Sequence, residues 1–373
     1  MNPVVMNLSS GAMRPALDRG PWARPGRLKT VISMTAVLMV FAAIYPHLFE
    51  TGRSYFIPMH ATINGLLVGL IGGLSISLGD IFYFQSSGRR LRFPIFLTMQ
   101  TLFYLVVINM VTILVMVGHY VVFHDNTVTE AFATEELQYF LYGGDYISIN
   151  IYGLLIIFLI NFVRQMNRML GHNALVNYFT GKYHKPVEEE RVFMFLDLNA
   201  STSIAERLGH MRYHQFLSDF VYDVTPAIVE SKGEIYQYVG DEIVVTWTKE
   251  NGIRNAECIN CYFRIATAIY MVSHTYEKKY GIVPEFKAGY HYGMVTTGLI
   301  GDIKRDIVFH GDTVNTASRI RSECTTANRN LLLSRDLLQK IPVSDFLTPE
   351  SIGRIKLKGK EEEIELYTIK EAA

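Results

Sequence analysis

The sequence predicts an α-helical membrane unit of four spans followed by an α+β domain of ferredoxin-like arrangement. Three observations carry this expectation. Positions 30–49, 54–79, 93–124 and 146–163 contain no Asp, Glu, Lys or Arg, whereas the chain beyond Arg164 has the mixed charge of a soluble domain. Beyond position 191, strand and helix patterns alternate. Within that alternation, "YQYVGDEIVVTW" (236–247) reads as two strands joined at Gly240-Asp241, with an acidic pair at the tip.

Each charge-free run is close to the roughly 20 residues a helix needs to cross a bilayer. Buried core helices that are apolar on every face would need a much larger soluble protein around them. The first run is too long, and too far from the first residue, for an ordinary cleavable signal peptide. Orientation follows from the flanks. Arg14, Arg19, Arg24, Arg27 and Lys29 precede the first span, Arg89, Arg90 and Arg92 separate the second and third, and Arg164 and Arg168 follow the fourth. The loop bearing Asp125, Glu130, Glu135, Glu136 and Asp145 has no Lys or Arg. These asymmetries predict a multi-pass protein of the inner (plasma) membrane with both termini in the cytoplasm. The expected divisions are an N-terminal tail (1–29), the lipid-embedded helices (30–163), a coupling segment (164–190) and a catalytic domain (191–373). With 35 Lys and Arg against 35 Asp and Glu, the chain has no electrostatic footprint for nucleic acid.

Within the spans, Gly65, Gly69 and Gly73 recur every four residues, a spacing that permits close helix packing. His60, Asn64, Asn109, Asn150 and Asn161 either bond neighbouring helices or line a small-ligand pocket, the first being favoured. In the coupling segment, Val163, Met166, Leu170, Ala174, Leu175 and Tyr178 recur at roughly helical spacing. Gly171 weakens that helix, and Lys185-Pro186 ends it. It can pair with a second copy as a short coiled coil or pack on its own domain. Cys258 and Cys261 have no second ligand pair at zinc spacing and read as small core residues.

In the domain, "RVFMFLDLN" reads as a strand and "TSIAERLGHMRYHQFLSDFVYDVTPAIVE" as a helix. The hairpin follows, then the helix "AECINCYFRIATAIYMVSHTYEKKY" and the strand "EFKAGYHYGMV". This βαββαβ order predicts a sheet with helices on one face and the first strand beside the hairpin. Asp197, ending the first strand, and Asp241, at the hairpin tip, then converge. Two hard oxygen ligands at one spot suit a pair of Mg²⁺ ions. The turn Asn199-Ala-Ser201-Thr202 opens the next helix and offers backbone N–H groups to a phosphate. In "HGDTVNTASRI", Asn315 and Arg319 are four apart and share a helix face, an amide and a guanidinium suited to a phosphoryl group. In "IKLKGKEEE", Lys358 and Lys360 are candidates for outer phosphates.

The motifs "FLDLNAST", "YVGDEIVV", "GYHYGMVTTGLIG", "HGDTVNTASR" and "LKGK" occur in the order found in the class III nucleotidyl cyclase catalytic domain, and residues 191–370 resemble that family. The resemblance implies that Asp197 and Asp241 are the metal aspartates and that the Leu198 carbonyl is an accessory ligand. It implies that Asn315 orients the ribose, Arg319 meets transition-state charge and Lys358 binds the triphosphate. It further implies two Mg²⁺ or Mn²⁺ ions per site, in-line attack of the ribose 3′-hydroxyl on the α-phosphate, and a homodimer whose two sites each draw on both chains. The chain looks like a bacterial membrane-bound adenylate cyclase making 3′,5′-cyclic AMP and pyrophosphate from ATP, with a guanylate cyclase acting on GTP as the alternative. At the family's base-reading offsets stand Gln237, whose amide can satisfy adenine or guanine, and Val308, which has neither donor nor acceptor. The hairpin also resembles the Gly-Gly-Asp-Glu-Phe signature of diguanylate cyclases, but Val239 replaces its first glycine and that family has no Asn315/Arg319 helix. A catalytically silent nucleotide-binding module is the remaining alternative.

Overall fold

The charge-free runs fold as long helices because nothing in them interrupts the backbone ladder or calls for water. The computed structural model describes residues 27–49, 51, 57–84, 93–171, 174–342 and 347–371, which divide into two units between Met166 and Asn167. The cations at Arg14, Arg19, Arg24, Arg89, Arg90 and Arg92 lie outside the described residues.

The first unit consists of α1 (Arg27–Phe49), α2 (Pro58–Gly79), α3 (Phe93–Phe123), α4 (Val128–Ala133), α5 (Glu135–Tyr142) and α6 (Gly144–Leu170). Four stretches, Leu28–Phe49, Pro58–Phe84, Pro94–Phe123 and Tyr146–Asn167, are long and apolar enough to cross a membrane. The glycine spacing in α2 acts through packing. A Cβ on Gly69 would lie 2.3 Å from Met39 Cα, one on Gly65 2.5 Å from the Ala42 carbonyl oxygen, and one on Gly73 2.8 Å from Thr35 Cα. The polar residues mostly tie helices together. Asn109 donates to Asn150 at 2.8 Å. A π turn, Asp80–Phe84, follows α2 and buries Asp80, which accepts from Gln100 at 3.0 Å and Tyr104 at 2.5 Å and pairs with Arg164. His60 stacks edge-on against His119 with ring centroids 5.1 Å apart.

In the second unit, α7 (Ala174–Thr180) is separated from α6 by Gly171 at φ +91°, so the helical periodicity of the coupling segment is realised in two pieces. The order continues with β1 (Val187–Leu198), α8 (Ser201–Leu208), α9 (His210–Glu230), β2 (Glu234–Val239), β3 (Glu242–Thr248), α10 (Lys249–Ile253), α11 (Glu257–Tyr280), β4 (Phe286–Ile300), β5 (Asp306–His310), α12 (Asp312–Thr326), β6 (Leu331–Ser334), α13 (Arg335–Leu338), β7 (Leu347–Ile355) and β8 (Ile364–Glu371). The sheet has the order β2-β3-β1-β4-β6-β8-β7, with β5 paired to β4. The βαββαβ core is therefore present, and β1 lies between β3 and β4 as expected.

Three details differ from expectation. Helices cover both faces of the sheet. Val192, Met194, Leu196 and Leu198 pack with Phe216, Phe220 and Ile259 of α9 and α11, while Phe193, Phe195 and Val244 pack with Ala317 of α12. A strand covered on both sides is apolar without alternation, as "VFMFL" is. Second, β2 forms the sheet edge, and its last three residues are exposed. Third, the helix expected from Thr202 to Glu230 breaks at Gly209, whose φ of +71° ends α8. The three cysteines are buried, and burial pushes the Cys261 and Cys324 thiols up to about 12, so they are packing residues.

Candidate active site

The carboxylates meet because of strand register. In β1 and β3, Leu196 pairs with Ile243, so Asp197 falls opposite the start of β3 and the hairpin tip. Gly240, at φ +65°, makes the two-residue turn and leaves Asp241 at the tip and Glu242 buried at the start of β3. On the other side of β1, Asp197 pairs in register with Lys287, whose Nζ lies 3.5 Å from Asp197 Oδ2.

A second cation comes from α12. Gly289 lets that helix press onto β4, because a Cβ there would lie 2.1 Å from the Arg321 nitrogen. The Arg321 guanidinium then reaches Asp197 Oδ2 at 3.3 Å and Glu242 Oε2 at 2.5 Å. Burial raises the Asp197 carboxyl above its ordinary range, opposed by Arg321, with the neighbouring Asp241 charge adding to the rise. Burial likewise raises Glu242, again opposed by Arg321.

The residues present fit a divalent cation. Asp197 and Asp241 are hard oxygen donors, and the cluster already draws two protein cations toward Asp197. Among the described residues, no group of three His, Cys, Asp or Glu side chains closes into a metal cage. Two carboxylates and a backbone carbonyl such as that of Leu198 leave most positions to water and phosphate, as Mg²⁺ prefers.

Asn315 and Arg319 stand elsewhere on α12. Residues two apart on a helix point about 200° apart, so Arg319 faces away from the Asp197 cluster that Arg321 reaches. Its Nη2 lies 3.4 Å from where a Cβ on Gly359 would be, within the turn that also carries Lys358. Asn315, one turn earlier on the same face, is exposed, as is Lys358. Lys360 instead pairs with Asp312. The structure thus gathers Asn315, Arg319 and Lys358 on one side of α12, and Asp197, Asp241, Glu242, Lys287 and Arg321 on the other.

Around the turn after β1, the Asn199 N–H donates to the Glu285 carbonyl at 2.8 Å and is not available to a phosphate. The N–H groups at Ser201 and Thr202 open α8 behind Ala200, which has φ +52°. Gln237 is exposed on β2, and Val308 is half-buried on β5 opposite Gly298. A Tyr236–Phe309 contact, with centroids 4.9 Å apart, ties those two strands together. Lys287 and Arg321 were not identified as site residues from the sequence. Their only sequence signal is position: Lys287 two residues before the strand glycine Gly289, and Arg321 two residues after Arg319.

Residues 183–371 match the family model described as the adenylate and guanylate cyclase catalytic domain. The chain belongs to that family. It is 37% identical over 208 residues to Adenylate cyclase 2 of Rhizobium meliloti, covering 56% of this chain and 57% of that protein. It is 26% identical over 187 residues to Adenylate cyclase of Anabaena cylindrica, covering 48% of this chain and 36% of that one. The chain therefore spans less than two thirds of either relative. A solved bacterial light-regulated adenylyl cyclase shares the fold, with a TM-score of 0.52, 20% identity, and coverage of 61% of this chain and 67% of that one.

Proposed function

We propose that this protein is a membrane-bound adenylate cyclase that converts ATP to 3′,5′-cyclic AMP and pyrophosphate at two sites shared across a homodimer. The observation that carries the reading is the division of α12. Arg321 is held by Asp197 and Glu242 of its own chain, so Arg319 points away from its own chain's metal aspartates. A second copy related by a twofold axis would bring Arg319 of one chain to Asp197 and Asp241 of the other.

Asp197, Asp241 and the Leu198 carbonyl would hold two Mg²⁺ or Mn²⁺ ions. When bound, those ions supply an acidified ribose 3′-hydroxyl and charge neutralisation on the phosphates. Lys287, beside Asp197, and Lys358, exposed on its turn, are placed to neutralise the outer phosphates. Asn315 would orient the ribose, and Arg319 would meet negative charge growing on the transferred phosphoryl. Gln237 and Val308 encode the base weakly, and ATP is favoured because both curated relatives bear the name adenylate cyclase. The GTP reading rests on that same weak encoding. Residues 30–163 would lie in the bilayer, with residues 164–190 linking them to the catalytic domain.

Incubating the purified protein with ATP or GTP plus Mg²⁺ or Mn²⁺, and identifying the product by mass, tests the reaction. Cyclic AMP is expected; a linear dinucleotide or no product would refute it. Asp197→Ala and Arg319→Ala should each abolish activity, since losing either group typically costs several kcal/mol of barrier. Coexpressing the two should restore a clear fraction, because the mixed dimer has one intact site. No restoration, with both variants folded and associated, would place Arg319 in a site of its own chain.

A further inference from the structure

The helical unit encloses a cavity of about 150 Å³ lined by residues of α1, α2, α3, α5 and α6. Packed interiors leave few voids larger than a water molecule, so a hole of this size calls for an explanation. The glycines supply part of one. Gly65, Gly69 and Gly73 touch the cavity but are required by the close approach of α1. Gly72 and Gly153 also line it, yet a Cβ on either would meet nothing within 4 Å. Glycine is disfavoured inside helices, and neither of these two is needed for helix packing. Their effect is to keep the space open.

The chemistry of the wall restricts the occupant. No charged side chain lines the cavity, so it offers nothing to an ion. Aromatic and aliphatic groups such as Phe41 and Met116 make up most of the surface. Set into it are Asn64 and Thr112. Thr112 is 4% exposed, and its Oγ1 is buried with no hydrogen-bond partner among the described residues. A buried hydroxyl in that state is costly, and a partner entering the cavity would relieve it. An acyl chain would fill the volume and leave the hydroxyl unpaired. A cavity of this volume accommodates a molecule the size of one aromatic ring.

We propose that the cavity is a binding site for a small uncharged aromatic alcohol of the phenol class, its ring against the aliphatic wall and its hydroxyl paired with Thr112. The site lies within the helical unit and is independent of cyclase turnover. The test is ¹⁹F NMR titration of the full-length protein in detergent micelles with 4-fluorophenol and, separately, fluorobenzene. Saturable binding of 4-fluorophenol is expected, tighter than fluorobenzene by about fivefold, the effect of one net hydrogen bond. Thr112→Val should remove that preference and leave fluorobenzene affinity unchanged. Gly72→Leu/Gly153→Leu should abolish saturable binding while raising or preserving the thermal midpoint, and Gly72→Ala, the milder change, should weaken it. The proposal is overturned if 4-fluorophenol only partitions without saturation. It is equally overturned if the cavity-filling variants bind as wild type does, or if the two probes bind alike.

Discussion

Arg321 gives the sharpest test of how the catalytic unit balances its carboxylates. Arg321→Met keeps an unbranched stem where α12 presses on Gly289 and removes only the guanidinium. The Arg321 side chain is 24% exposed, and those of Asp197 and Glu242 are 12% and 10% exposed, so the pairs are largely withdrawn from water. Opposite charges about 4 Å apart at an effective dielectric near 20 interact by roughly 4 kcal/mol. Removing one partner of a buried pair costs about 3–5 kcal/mol, because the other charge stays buried. Lys287 remains 3.5 Å from Asp197, which places the loss near the low end, at about 3 kcal/mol. In a Trp22→Phe background, Trp247, which is fully buried in this unit, becomes the sole tryptophan and reports its unfolding. With EDTA present, the urea midpoint of the Arg321→Met variant should fall by about 1–2 M for an m-value near 2 kcal/mol/M. With Mn²⁺ present, the bound ion takes over as counter-charge, so the deficit should shrink. Mn²⁺ affinity, read from the free-ion EPR signal, should rise, since the ion no longer competes with a guanidinium. Equal losses in EDTA and Mn²⁺, together with unchanged Mn²⁺ affinity, would show that Arg321 acts through packing alone.

Two further outcomes follow from the same unit. Burial holds the His291 imidazole down to about 4, from an ordinary value of 6.5, with its Nδ1 2.7 Å from Ser334 Oγ and with Asp336, Lys360 and Asp312 the charges felt there. Between those pH values the unfolded chain binds the extra proton, so His291's contribution is complete above pH 6.5 and is lost on acidification toward 4. The full loss is roughly 3 kcal/mol, and His291→Asn should flatten the fall in urea midpoint between pH 7 and 5. Gly289→Ala would put a methyl group 2.1 Å from the Arg321 nitrogen and 2.5 Å from its Cα, and backbone cannot swing aside as a side chain can. It should destabilise the catalytic unit by about 3 kcal/mol in the Trp247 assay, and an unchanged midpoint would mean that α12 is not pressed onto β4 there.

What the sequence disclosed were the features set by local chemistry. The charge-free runs, the Gly240-Asp241 turn and the strand that ends at Asp197 each depend on residues close together in the chain. The uninterrupted apolar run "VFMFL" also carried the sign of a strand covered on both faces, although the ferredoxin-like expectation placed helices on one. Lys287 and Arg321 were out of reach for a different reason. The first stands beside Asp197 only through the β1–β4 register, and the second only because Gly289 sets how deeply α12 sits and which way it is rolled. The availability of the Asn199 N–H likewise turned on a contact with Glu285, 86 residues further along the chain.

The two arginines of α12 bear on why one copy of the catalytic unit would be insufficient. On one side of the helix, three carboxylates, Asp197, Asp241 and Glu242, face two cations, Lys287 and Arg321, leaving a negative excess that suits a divalent ion. On the other side, Arg319 and Lys358 have no carboxylate partner among the described residues, while Lys360 is already engaged by Asp312. Anionic and cationic halves of a phosphoryl-transfer site are thus held about 200° apart around one rigid helix. Side-chain motion cannot bridge that separation, because Ala317 and Ile320 are fully buried and fix the roll of the helix between the halves. A twofold partner solves the problem with no internal rearrangement, since an isologous contact brings each half to its complement twice. Within an assembled site the phosphates would meet metal-bearing carboxylates from one chain and Arg319 with Lys358 from the other. Arg321 would stay behind with its own aspartate, which is why exchanging the roles of the two arginines by Arg319→Ala alone should not be compensated by its neighbour two residues away.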